Sequence, residues 1–117
     1  MAQSHLEEKF LRGWKKTFPF IPLMREYQPL EKRRFRLDFA HVESKVGIEI
    51  HGGIWGKKSA HNSGHGLNRD YEKLNLIQSD GWVVYQLSGD MLSLAKQKVW
   101  FPIIAKAIKQ RSPRKII

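Results

Sequence analysis

The chain contains no cysteine. Disulfide staples and thiolate zinc sites are therefore excluded, and the redox compartment stays open. Long apolar runs are missing too. None approaches the roughly 20 residues that span a bilayer, and the polar, acidic stretch from Ser4 to Lys9 does not resemble a signal peptide. An intracellular protein, neither secreted nor membrane-spanning, is the expectation. Acidic residues are scarce: 11 Asp and Glu stand against 21 Lys and Arg, for a net charge of +10 and a pI near 10.1. A polyanion is the expected partner, nucleic acid ahead of an anionic membrane surface. Residues 91–110 fit a membrane-surface helix only loosely. With neither repeats nor linkers, the 117 residues are expected to form one domain, with a basic tail at about 110–117. Hydrophobic residues make up 41%, enough for a packed core.

Local patterns give an element order. Ser4-His5-Leu6-Glu7 fits a capping box, with Ser4 as N-cap and Glu7 at N3. Leu6, Phe10, Leu11 and Trp14 recur at helical spacing and predict a first helix over 5–17, which Pro19 and Pro22 end. Leu23 to Tyr27 reads as a short edge strand, and Pro29 to Lys32 as a turn. A hairpin is predicted at about 33–41 and 45–51. The glycine-punctuated stretch from Gly52 to Gly66 reads as a loop. Asn68 to Ser79 predicts a second helix with Tyr71, Leu74 and Ile77 on one side, ended by Asp80-Gly81. Trp82 to Leu87 is a strand, and Gly89-Asp90 turns into a last helical region at roughly 91–110 that Pro102 kinks or divides. Trp14, Trp82 and Trp100 are expected in the core. The order predicts an α/β or α+β fold, a small mixed central sheet flanked by helices.

The hairpin carries the chemistry. Side chains alternate faces along a strand, so Glu49 and His51 share one face while Val46, Ile48 and Ile50 take the other. Antiparallel pairing can bring Asp38 beside Glu49. Two carboxylates next to a third polar group make a site for a hard cation such as Mg²⁺, which prefers oxygen ligands and keeps waters for a phosphate substrate. The competing reading is a pair of solvated strand carboxylates matched to Arg34 or Arg36. His51 could position or deprotonate water, or ligate the metal. It could equally bond the glycine loop.

Several basic residues suit phosphate. Arg69 and Lys73 share a helix face and could steady it or stabilise developing charge. Asp70 suits the positive end of that helix. Lys32, Arg33, Arg34 and Arg36 form one cluster, and Lys96 through Lys115 enrich the C-terminal part. The plain alternative for all of them is a solvated face. Trp55, Lys57 and Lys58 mark the glycine loop as a DNA contact, with Trp55 stacking on a base, wedging against it, or simply capping the core. Gln86 borders the site from the Trp82 strand. His61 and His65 have zinc-helix spacing, but Asn62-Ser63-Gly64 between them makes a poor helix and no further ligands follow.

Arg36-Leu37-Asp38-Phe39, Gly47-Ile48-Glu49-Ile50-His51-Gly52-Gly53, Asn68-Arg69-Asp70-Tyr71-Glu72-Lys73-Leu74-Asn75 and Asp80-Gly81-Trp82-Val83-Val84-Tyr85, in that order, resemble the PD-(D/E)XK nuclease superfamily. The branch they resemble holds very-short-patch-repair endonucleases and related phage homing endonucleases. The resemblance covers roughly residues 4 to 87. It implies a restriction-endonuclease-like core and an Mg²⁺-dependent deoxyribonuclease acting on DNA, with Mn²⁺ able to substitute. The short chain and few-stranded sheet make a homodimer the expectation, which would suit two-strand cleavage. It implies Asp38 and Glu49 as metal ligands, with His51 standing where the superfamily usually has Lys. It also implies one more acid from the first helix, Glu7 or Glu8. Glu8 is the choice here because the capping box already employs Glu7, although Glu8 could instead pair with Arg12 four residues on. The rival from another class is a degenerate nuclease fold that binds DNA without cutting it.

Overall fold

The computed structural model describes the backbone of residues 2–52 and 64–113, and the side chains of 5–52 and 68–113. The elements are α1 (Ala2–Thr17), β1 (Met24–Tyr27), β2 (Leu37–His41), β3 (Val46–His51), α2 (Gly64–Ser79), β4 (Val83–Ser88), a 3₁₀ turn (Gly89–Leu92) and α3 (Leu94–Arg111). The strands form one sheet in the order β1-β2-β3-β4. The first two pairings are antiparallel, and β3–β4 is parallel, with α2 as the crossover. The expected mixed sheet flanked by helices is what forms.

Each sheet face buries its own apolar set. Val46, Ile48 and Ile50 pack with Phe10 and Trp14 of α1 and with Phe101, Ile104 and Ile108 of α3. On the other face, Leu37 and Ala40 pack with Ile77 of α2 and with Trp82. The strand alternation read from sequence therefore holds for β3: its odd members, Gly47, Glu49 and His51, are left for the α2 side. Phe10, Trp14 and Phe101 pack with centroids 5.3 to 5.9 Å apart, spacings typical of favourable aromatic pairs. The Trp14 indole N–H donates to the Ile21 carbonyl at 2.8 Å, so its burial leaves no orphaned donor.

Helix ends depart from the sequence pattern in two places. Helix α1 begins at Ala2, so Ser4 lies inside it rather than at its N-cap, and the capping role that occupied Glu7 falls away. Helix α2 begins at Gly64, earlier than the expected Asn68. Extending a helix already nucleated downstream adds one backbone bond per residue fixed. Its C-terminus follows the pattern closely. Gly81 takes φ 91°, its N–H donates to the Gln78 carbonyl, and the Trp82 N–H reaches back to Ile77. These two bonds, with Trp82 packed on Ile77, make a Schellman cap. Tyr71 does not join the core side of α2 as expected; it is 57% exposed. Pro102 sits inside an unbroken α3, on its exposed side.

Candidate active site

A row of carboxylates crosses the sheet. Phe39 faces Ile48 and Ala40 faces Gly47 across β2–β3. One further step in that register puts Asp38 opposite Glu49. Across β1–β2, Arg25 faces Phe39 and Tyr27 faces Leu37, which puts Glu26 beside Asp38. Glu26 takes φ 52°, a left-handed conformation that residues other than glycine seldom adopt and that gathers at functional sites. It breaks the regular alternation of the edge strand where its side chain meets Asp38. From above the sheet, α1 supplies Glu7. Residue 7 shares a helix face with Phe10 and Trp14, and their burial carries its carboxylate down until it is 8% exposed.

The result is a cluster in which Glu7, Glu26 and Asp38 each place one carboxylate oxygen within 4.8 Å of the others. Asp38 feels it most. Burial pushes its carboxyl up from 3.8 to about 6; the Ile50 N–H opposes this, and the charges of Glu49, Glu7 and Glu26 add to the rise. That N–H donates to Asp38 Oδ2 at 2.7 Å and fixes the carboxylate across the strand gap. Carboxylate oxygens crowded in this way are suited to a hard divalent cation, which takes oxygen ligands and offsets their mutual repulsion.

The residues singled out from sequence divide around this cluster. Asp38 is in it. Glu49 is its neighbour but is held elsewhere: its Oε1 accepts from Lys73 Nζ at 2.7 Å, and the same ammonium donates to the Arg36 carbonyl at 2.9 Å. Lys73 therefore reaches Glu49 from α2. Of the two α1 acids, the fold brings Glu7 to Asp38 and turns Glu8 away. Glu8 meets Arg25 at 2.7 Å on the surface, rather than Arg12, and Arg25 also reaches Glu7 at 3.6 Å. The acid that α1 brings to Asp38 is thus Glu7, where the sequence preference was for Glu8. Glu26 and Arg25 were missed. Both lie in the expected edge strand, but its register against β2 has no local signature.

His51 closes β3 in the exposed position, and its Nε2 lies 2.8 Å from Gln86 Oε1. An amide oxygen only accepts, so with Gln86 oriented this way Nε2 carries the proton and a neutral ring keeps Nδ1 as its base. The parallel register makes this contact: Glu49 faces Gln86, and His51 faces Ser88. Arg34, Arg36 and Arg69 are exposed, and Arg36 makes a long contact, 3.5 Å, to the Glu26 carbonyl. Arg33 stacks over Phe35 and pairs with Glu72 of α2 at 3.1 Å. Trp55, Lys57, Lys58, His61 and the side chain of His65 lie outside the described residues.

No protein-family model matches the chain, and no curated protein matches it in sequence. Its fold, however, is similar to a solved structure, the catalytic domain of the homing endonuclease I-Bth0305I. The match has a TM-score of 0.67 at 19% identity and covers 88% of this chain and 95% of that one. The architecture that gathers Glu7, Glu26 and Asp38 is thus one shared with an endonuclease catalytic domain.

Proposed function

We propose that this chain is a divalent-metal-dependent endonuclease that hydrolyses phosphodiester bonds in DNA. One observation carries the reading: three carboxylates from α1, β1 and β2 converge on a fold shared with an endonuclease catalytic domain. Asp38, Glu7 and Glu26 would hold Mg²⁺ or Mn²⁺. When bound, such an ion activates water and offsets charge on the scissile phosphate.

The chain's own groups then have distinct tasks. The Ile50 N–H holds Asp38 in place. Lys73 fixes Glu49 beside the cluster. Gln86 sets the ring of His51, whose Nδ1 can take the proton from the attacking water. Arg69, with Arg34 and Arg36, lies on exposed surface where phosphates can be gripped. Trp55, Lys57 and Lys58 remain part of the same proposal as DNA contacts. A homodimer would place two such sites for two-strand cutting.

Incubation with supercoiled plasmid and Mg²⁺ tests the reading. Cleavage should fall by at least about a hundredfold in Asp38→Asn and Glu7→Gln, with little change in Glu8→Gln. Equal cleavage in all variants would assign the activity to a contaminant. Retarded DNA that stays intact in both Mg²⁺ and Mn²⁺ would make the chain a binding module instead.

A further inference from the structure

We propose a second polyanion-binding surface, the groove between α1 and α3, and assign to it the phosphate backbone of nucleic acid away from the cleavage point. The groove encloses about 910 Å³. Lys9, Arg12 and Lys16 stand on the α1 side and Lys98, between Leu94 and Pro102, on the α3 side, with Gly13 and Gln97 between them. Among the described residues no carboxylate lines it.

Helix geometry separates this groove from the acidic cluster. Positions 9, 12, 13 and 16 share one face of α1, and position 7 with Phe10 and Trp14 lies on the opposite one. The cations and Glu7 therefore point away from each other. A Cβ on Gly13 would sit 2.5 Å from Gln97 Oε1, so any side chain at residue 13 would have to displace the Gln97 amide that lies against it. Gln97 is buried, and its Nε2 donates to the Leu92 carbonyl at 2.9 Å.

Charge and spacing favour nucleic acid as the occupant. Lys9 to Lys16 rises about 10 Å at 1.5 Å per residue. A DNA strand carries one phosphate per 3.4 Å of axis, so this side matches about three phosphates. Among the described residues no aromatic ring lines the groove, so it offers phosphate contacts without a stacking platform. Such contacts hold any sequence. The inference sits beside the nuclease reading and does not require the chain to cut.

The test uses the full chain with EDTA and a fluorescein-labelled 20-base-pair duplex. Affinity is followed by anisotropy across NaCl concentrations. The triple variant K9Q/R12Q/K16Q should bind at least tenfold more weakly at 0.1 M salt. Its log–log salt slope should be shallower by about 2 to 3. Should the triple variant fail to fold by circular dichroism, Lys98→Gln alone should flatten the slope by about 1. An unchanged slope in a folded variant overturns the proposal. So does a groove-dependent preference for polyglutamate over DNA of equal charge, which would make the partner an acidic protein. Plasmid cleavage is scored separately: loss of duplex binding in the groove variants with no cleavage by wild type would leave the groove standing and remove the nuclease.

Discussion

Replacing Asp38 by Asn should make the metal-free protein more stable at neutral and alkaline pH. In the folded chain the carboxyl titrates at about 6 instead of 3.8. Well below pH 3.8 both folded and unfolded chains hold this proton, and the residue contributes nothing to pH dependence. As pH rises the unfolded chain releases its proton first, so wild type loses stability between about pH 4 and 6 and regains none above it. Taken whole, the displacement corresponds to about 3 kcal/mol. Water reaches part of the carboxylate, and screening brings the expectation to about 1–2 kcal/mol. Asn keeps an oxygen to accept the Ile50 N–H, so the packing is retained while the charge is removed. Urea unfolding in EDTA at pH 4 and pH 8 measures it. The two proteins should unfold together at pH 4 and separate at pH 8, with the Asp38→Asn variant the more stable. Adding Mn²⁺ at pH 8 should narrow or reverse the gap, because a ligand of the folded state stabilises only the protein that binds it. A variant no more stable than wild type at pH 8 would refute the reasoning, since the Asp38 carboxylate would then not be penalised by its burial and the charges beside it.

Calorimetric titration with Mn²⁺ should show affinity falling about tenfold or more in Glu7→Gln and in Glu26→Gln, and unchanged in Glu8→Gln; equal loss in Glu8→Gln would contradict the cluster's membership. Wild-type Mn²⁺ affinity should weaken as pH falls through about 6, where Asp38 takes up its proton. Lys73→Met should destabilise by about 1–3 kcal/mol in urea unfolding, because the pair it breaks is only 20% and 12% exposed and Glu49 is left without its partner. Gly47→Ala should cost about 1–3 kcal/mol by the same measurement, since its Cβ would meet Leu37 Cδ1 at 2.6 Å.

How much of the site could be read from sequence depends on how local its geometry is. Asp38 and Glu49 are joined by one tight turn over 42–45, so period-2 alternation and hairpin pairing were enough to put them side by side. His51 followed from the same alternation. Glu26 was illegible because the connection 28–36 fixes no register, and because its left-handed φ breaks the pattern from which its facing would be inferred. Glu7 was legible as an acid on the first helix but was assigned to a capping box. That assignment assumed the helix starts at Ser4, and helix ends are where sequence signals are weakest. Lys73 was read as a phosphate ligand from its spacing to Arg69. Its contact with Glu49 arises from the β3–α2–β4 crossover, which lays α2 over the strand end, and spacing within a helix says nothing about that.

The same distribution of charge explains why a strongly basic chain keeps an acidic pocket. A net charge of +10 would draw a polyanion to the surface as a whole. At the cluster the sign is reversed, and there the phosphate of that polyanion would be repelled. Arg25 and Lys73 temper the edges by pairing with Glu7, Glu8 and Glu49. At the centre Asp38 still faces the carboxylates of Glu7 and Glu26. A divalent ion meets both demands, because it satisfies the carboxylates and presents positive charge to a phosphate from the same point. On the proposed reading, the exposed cations would supply long-range attraction and the three acids gathered at one edge of the sheet would supply local selectivity.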